Sequence, residues 1–497
     1  MHLRTILSLT GLLLMLFSVV LLVPIAVALM YSEAFISHFL LAFSVTLAIG
    51  LVLWCACRPI RELRNRDGFI VVALFYFGLG TFGAVPFASS GVADSWSGAV
   101  FESVSGLTTT GATMLTGLDD LPKSLLIYRQ ILQWLGGMGI VVLAVAVLPM
   151  LGIGGMQLSR SELTGPDKGS RLAPRIAETA RALWLVYLGL TVACALAYFV
   201  AGMDLFDAIA HAFSTVSIGG FSTHDASIGY FNSLAINWVA IAFMVISGLS
   251  FALHFRLFRQ IKLGLSGHSE QSPRRGRISD WLPYLASSEA KTYLALLLAL
   301  SLVVSIGLSA YGVSDHVVLD AIFQVVSTAT TSGFVTTDFS LWPSFLPILL
   351  LMSAFVGGCA GSTAGGIKGV PVPLAYRQGI YEIKRLIHPA GVFPVKLDNR
   401  SVPSDEMQAV WGFFALYGLT FVVMLLLILM VDDLDFLSAF SAVAACLNNL
   451  GPGLGDVANN YESVSSAGKW LLSVTMILGR LEIFTLLVLL TPTFWRR

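Results

Sequence analysis

Ten runs of apolar residues follow one another along this 497-residue chain, near 5–31, 36–57, 70–88, 125–150, 183–202, 233–255, 291–311, 345–369, 408–431 and 468–492. Each is long enough to cross about 30 Å of hydrocarbon and predicts a membrane-spanning helix. Shorter, half-polar stretches lie near 95–108, 204–217, 316–330 and 435–448. At about 14 residues, none of these spans a bilayer as a helix, so they predict re-entrant half-helices. The first apolar run is too long for a signal-peptide core and has no convincing small-residue cleavage site, so it is read as a retained span.

The half-polar stretches lead into related sequences: "SVSGLTTTGAT", "AFSTVSIGGFS", "VVSTATTSGFV" and "AVAACLNNLGPG". Their glycines, Gly111, Gly220, Gly333 and Gly451, stand 109, 113 and 118 residues apart. Six residues before them come Ser105, Ser214, Ser327 and Ala445; three before come Thr108, Ser217, Thr330 and Asn448; nine before come Glu102, His211, Gln324 and Ala442. A unit of span, half-helix, glycine loop and span therefore occurs four times. The expected boundaries are an N-terminal helix pair over 1–67, then repeats over 68–158, 159–265, 266–400 and 401–497. The predicted fold class is an all-α integral membrane protein with four pseudo-symmetric units around one central pore.

Composition agrees with a membrane protein. The chain is 56% hydrophobic and 12% charged, with mean hydropathy +0.82, where soluble domains carry about 25% charge. The formal net charge of zero gives no bulk field for nucleic acid. Of the 29 Lys and Arg residues, 25 fall in segments that share one side if the N-terminus is cytoplasmic. Both termini are then expected inside. The loop "SGHSEQSPRRGRISD" reads as a solvated cytoplasmic linker. Five cysteines without metal-like spacing argue against disulfides or zinc, and Cys55 and Cys57 are expected as packed small hydrophobes.

A loop of hydroxyls and glycine is tolerated at membrane depth only where it is buried in protein or lines a watery path. Four loops entering from one side can converge on an axis and present rings of carbonyls that replace a cation's hydration shell. Glycine permits the unusual backbone angles such a strand requires. The half-helices point their partly negative ends at the pore centre, which favours a cation. Glu102, His211 and Gln324 are expected to be scaffold hydrogen-bonders rather than ion ligands.

These residues resemble the superfamily of potassium transporters that includes TrkH, KtrB and HKT proteins. "TTTGAT", "SIGGFS", "TTSGF" and "NNLGPG" are similar to its four filter segments. The extra N-terminal pair and the "NLGPG" form look like the TrkH branch. The resemblance implies a potassium-binding filter of Thr109, Thr110, Gly111, Ile218, Gly219, Gly220, Thr331, Ser332, Gly333, Asn449, Leu450 and Gly451. In the second loop both Gly219 and Gly220 are candidates, and the repeat alignment favours Gly220. A glycine in all four loops goes with potassium selectivity in that family. The resemblance also implies a homodimer in the bacterial cytoplasmic membrane, with a TrkA-like nucleotide-binding ring as regulatory partner. Potassium is the expected substrate, and no bound cofactor is expected.

"GGCAGSTAGGIKG", residues 357–369, holds six glycines near the inner end of the third repeat's second span. A phosphate-binding loop needs Gly-Lys-Ser/Thr; Ile367 separates Gly366 from Lys368, and Gly369 follows. A tight helix-packing face is one reading. A break is the other, since each helical glycine costs about 1 kcal/mol relative to alanine. Similarity to TrkH implies a gate loop there, with Gly357, Gly358, Gly361, Gly365, Gly366 and Lys368. Arg480, deep in the last apolar run, is a functional candidate by default. The alternative is a structural pair with a carboxylate, and Glu482, two residues on, lies off its helical face.

The leading function is therefore gated, channel-like potassium uptake. A symporter coupling potassium to protons or sodium is the alternative. Broken-helix secondary transporters usually carry inverted repeats, whereas these four share one orientation. No metal-ligand cluster or nucleophile–base set marks an enzyme; His211 and His224 flank the second loop without partners at ligand spacing.

Overall fold

The computed structural model describes residues 3–57, 65–146, 172–265 and 287–496, apart from 314–315, 344, 370, 390, 392 and 398–399, together with Tyr284. The linker expected over 266–280 lies outside the described residues. Among the described residues, the regular structure is helical except for a short hairpin pairing Lys396–Leu397 with Arg400–Ser401. Among the described residues, six helices are long and apolar enough to cross a membrane: Leu3–Met30, Ile36–Ala56, Asp67–Ser89, Thr179–Val200, Ser288–Tyr311 and Ser404–Val431.

Three of the ten apolar runs are not continuous spans. Leu234–Ser247 and Phe251–Gln260 meet at 93°, and Ser466–Arg480 and Phe484–Leu490 meet at 114°. The run over 345–369 contributes only the helix Leu346–Val356 before the chain leaves helical geometry. Freed backbone groups at membrane depth need new partners. At the first break, Gly248 accepts from the Cys359 amide at 2.9 Å, and the Phe251 amide donates to Gly361 at 3.1 Å. At the last break, Glu482 and Ile483 both take left-handed backbone, with φ of 55° and 52°. The corresponding helix after the first glycine loop, Lys123–Ala146, runs unbroken.

The half-helices are Trp96–Leu107, Leu205–Ser217, Val317–Ala329 and Phe436–Asn448. Three have a side-chain N-cap: Ser95 accepts from Gly98, Asp204 from Asp207 and Asp435 from Ser438. Such caps satisfy amides that have no intrahelical partner. Two buried apolar clusters hold the bundle. One joins the N-terminal helices to the first and fourth half-helices; the other joins the second and third. The helices Leu3–Val20 and Ile36–Ala56 cross where Gly11 and Gly50 face each other, and a Cβ on either would come within 3 Å of the other's carbonyl oxygen. Small residues permit this backbone approach. Cys55 is exposed and Cys57 half-buried, contrary to the expectation that both are packed. Their helix buries only the stripe Phe39, Ala42, Thr46 and Gly50; Cys55 lies in its last turn off that stripe, and Cys57 caps its end.

Candidate functional site: four glycine loops and the loop beneath them

Each half-helix ends in the same way. The amides of Thr110, Gly219, Ser332 and Leu450 donate to the carbonyls of Ser105, Ser214, Ser327 and Ala445, at 2.9, 2.9, 2.7 and 2.8 Å. This bond from five residues on is the long-range bond of a Schellman ending, and it requires a left-handed residue. Thr109, Ile218, Thr331 and Asn449 supply it, with φ of 50°, 55°, 65° and 55°. Two residues later come Gly111, Gly220, Gly333 and Gly451, at φ of 82°, 80°, 77° and 98°. The spacing seen in the sequence is the spacing of this turn. In the second loop Gly220, not Gly219, takes the positive φ of its counterparts.

The loops form a closed cycle. A Cβ on Gly111 would strike the carbonyl oxygen of Gly219, one on Gly220 that of Ser332, one on Gly333 that of Leu450, and one on Gly451 that of Thr110. Each glycine thus leaves room for the next loop's backbone, in chain order, and the fourth returns to the first. On the side where the half-helices begin, a cavity of about 540 Å³ touches all four glycines. Arg129, His224, Asp338 and Tyr461 also line it.

The side chains behind the loops are engaged in hydrogen bonds within the protein. Glu102 accepts from Thr113 Oγ1 at 3.0 Å and the Met114 amide at 3.1 Å. His211 Nε2 bonds Ser222 Oγ at 2.9 Å, and Gln324 Nε2 donates to Thr337 O at 3.1 Å. Ala442 cannot do this, and its neighbour Ser441 accepts from the Leu454 amide at 2.8 Å instead. Thr108, Thr330 and Asn448 turn their side chains back to carbonyls one turn earlier in their own helices.

Two residues of the helix Lys123–Ala146, not singled out from the sequence, brace two loops; Arg129, a charge inside an apolar run, carries the same signal as Arg480. Fully buried Arg129 pairs with Glu102 at 2.8 Å, donates to Ser222 O at 3.0 Å and to Thr113 Oγ1 at 3.1 Å. Gln133 donates to Gly219 O at 2.6 Å and accepts from Ser214 Oγ at 2.6 Å and the Phe221 amide at 3.1 Å. At the cavity's rim, His224 lies between Asp119 and Asp207, its Nε2 3.3 Å from Asp207 Oδ2. Its ring stacks on Tyr230 at 3.5 Å.

Beneath the loops, on the side where the half-helices end, runs the segment 357–369. It is not a helix-packing face: Gly357, Gly361 and Gly366 have φ of 68°, 72° and 76°. Thr363 Oγ1 donates to Val216 O at 3.0 Å, the Gly365 amide to Thr331 Oγ1 at 2.7 Å, and the Gly366 amide to Asn448 O at 3.1 Å. The segment therefore touches the ends of the second, third and fourth half-helices. A Cβ on Gly365 would strike the Asn448 carbonyl, so the approach requires glycine. Gly358 accepts from the Gly369 amide at 2.9 Å, and Glu289 accepts from the Ala360 amide at 2.6 Å.

Arg480 is 2% exposed. Its Nη1 donates to Thr363 O at 3.0 Å and its Nη2 to Gly136 O at 3.4 Å. Two backbone carbonyls thus accept from the guanidinium, one of them in the glycine-rich segment. Glu482 instead pairs with Lys368 at 3.0 Å.

Comparisons with known proteins agree with this fold. The family model TrkH, described as "Cation transport protein", matches residues 35–496. The chain is 51% identical over 501 residues to the Trk system potassium uptake protein TrkH of Escherichia coli K12, covering all of both. It is 38% identical to TrkG of the same organism, over all of this chain and 99% of that protein. It is 35% identical to TrkI of Halomonas elongata, over 96% of this chain and 93% of that protein. The crystal structure of the potassium transporter TrkH from Vibrio parahaemolyticus superposes with a TM-score of 0.88 at 48% identity, over the whole of both chains. The chain belongs to the TrkH family of membrane cation transport proteins.

Proposed function

We propose that this chain is the potassium-conducting subunit of a Trk-type uptake system. Ions pass along the axis enclosed by the four glycine loops, and Thr109–Gly111, Ile218–Gly220, Thr331–Gly333 and Asn449–Gly451 form the filter. The observation that carries the reading is the closed cycle of those loops. Backbone carbonyls held in such a cycle replace a cation's water. The four units around it are 68–158, 159–265, 266–400 and 401–497.

The segment 357–369 is the gate. It lies across the inner ends of three half-helices, and Arg480 adds a buried positive charge that opposes cation passage. Gly357, Gly358, Gly361, Gly365, Gly366 and Lys368 let it seat and leave. The chain works as a homodimer in the bacterial cytoplasmic membrane, with both termini inside, controlled by a TrkA-like nucleotide-binding ring. It catalyses no covalent chemistry.

Purified protein in liposomes tests this. Potassium flux should follow the electrochemical gradient, and Arg480→Ala or deletion of several residues within 361–366 should raise it with selectivity largely kept. If both variants fold and conduct like the parent, the segment is packing scaffold. Flux driven by an imposed proton or sodium gradient alone would replace the channel reading with symport. For orientation, a cysteine at Ser269, outside the described residues, should react with impermeant reagents only from the cytoplasmic side.

A further inference from the structure

The three bonds that join the glycine-rich segment to the half-helix ends differ in kind. Two end on backbone carbonyls, those of Val216 and Asn448. The third runs from the Gly365 amide to a side chain, Thr331 Oγ1, at 2.7 Å. Thr331 is fully buried and takes the left-handed position at the inner end of the third loop. Its counterparts are built differently. Ile218 has no hydroxyl. The Asn449 amide is committed to Thr110 Oγ1 at 3.0 Å and Met476 O at 2.9 Å. Thr109 Oγ1 is buried without a hydrogen-bond partner. Of the four equivalent positions, the third alone bonds its side chain to the segment 357–369.

We infer that Thr331 is a positioning residue that couples the inner end of the filter to the seating of the gate. The inference rests on the gate reading above. A threonine hydroxyl offers two acceptor lone pairs. While the segment is seated, the Gly365 N–H occupies one and aims the positive end of its dipole at that oxygen. A cation arriving at the inner end of the filter is attracted to the same oxygen and repelled by the same N–H. Cation and amide compete, so each weakens the hold of the other, and the coupling is reciprocal. Ion entry through the filter thereby loosens the gate, and a seated gate disfavours an ion at the innermost position.

Proteoliposomes carrying the whole chain test this with potassium itself. Thr331→Val removes the acceptor at nearly constant volume; Thr331→Ser restores it. The valine variant should raise basal flux roughly five-fold, the shift expected for the loss of about one net hydrogen bond. It should also flatten the rise of gate opening with potassium concentration. Serine should bring both back toward the parent. Thr331→Cys, whose sulfur is a weak acceptor, should fall between and serves where valine lowers the yield of folded protein. Valine that conducts like the parent, or serine that behaves like valine, overturns the inference. So does a valine variant that shifts the potassium-to-sodium reversal potential without raising basal flux. The segment deletion separates the failures. If deletion raises flux and valine does not, only the coupling fails. If deletion leaves flux unchanged, the gate itself is lost and the coupling with it.

Discussion

Lys368 Nζ lies 3.0 Å from Glu482 Oε1, which ties the glycine-rich segment to the break in the last helix pair. Both residues sit in left-handed backbone, with φ of 69° and 55°. Such geometry costs a non-glycine residue about 1–2 kcal/mol, so the surrounding contacts must hold it. The pair is largely shielded, with side chains 10% and 28% exposed. Glu482→Gln should weaken seating by about 1 kcal/mol and raise basal flux roughly five-fold. The exchange Lys368→Glu with Glu482→Lys should restore most of the lost control. Flux from matched liposomes checks both; an exchange no better than the single variant removes the pair from gating.

Gly333→Ser should lower the preference for potassium over sodium. At φ of 77° a side chain is strained, and its Cβ would strike the Leu450 carbonyl. Reversal potentials in mixed potassium and sodium give the answer. Unchanged values in a folded variant would take Gly333 out of the filter.

Arg129→Met should be among the most damaging changes in the chain. It strands the Glu102 carboxylate in a fully buried site, at a cost of about 3–5 kcal/mol. The double variant with Glu102→Gln should recover part of that loss, because no unpaired charge then remains. Thermal melting of detergent-purified protein measures the difference.

His224 gives a pH dependence. Burial opposes its charged form, but hydrogen bonds with Asp207 and Asp119 outweigh that and hold the imidazole above its ordinary value. A proton is thus bound more tightly in the folded state. The stabilisation is complete below the ordinary histidine value of 6.5 and is lost as pH rises through the raised one. Burial pushes Asp207 up, yet His224 and Thr223 bring it down to about 2, so it stays ionised throughout. The melting temperature should therefore fall as pH rises above 6.5 through this group, and His224→Gln should remove that contribution. A wild-type slope in the variant assigns it elsewhere.

Much of the architecture was legible because one local turn imposes one spacing. The Schellman ending fixes the distance from Ser105, Ser214, Ser327 and Ala445 to their glycines, so the chain repeats its sequence wherever it repeats the turn. The glycine-rich break was legible from its composition, but the other two breaks were not. "VISGLSF" and "GRLEIFT" are apolar enough to read as helix, and hydropathy is blind to left-handed backbone at Glu482 and Ile483. Long-range partners were equally hidden. Arg129 finds Glu102 27 residues away, and Lys368 finds Glu482 114 residues away. The sequence invited a search for a carboxylate beside Arg480, whereas the structure gives it carbonyls and gives Glu482 to Lys368.

The cycle of glycine loops has a consequence for biosynthesis. Its last joint brings Gly451 against Thr110, with Asn449 bonded to Thr110 across 339 residues of chain and the Tyr461 amide bonded to Thr113 O. A nascent chain holding only the first three loops has a ring with one side missing. The ring is completed only as the final tenth of the polypeptide leaves the ribosome, by which time residues 357–369 and their seats on the second and third half-helices have already been made. On the proposed reading the order of translation supplies the gate segment before the ion path is enclosed, which would keep a growing chain from leaking ions.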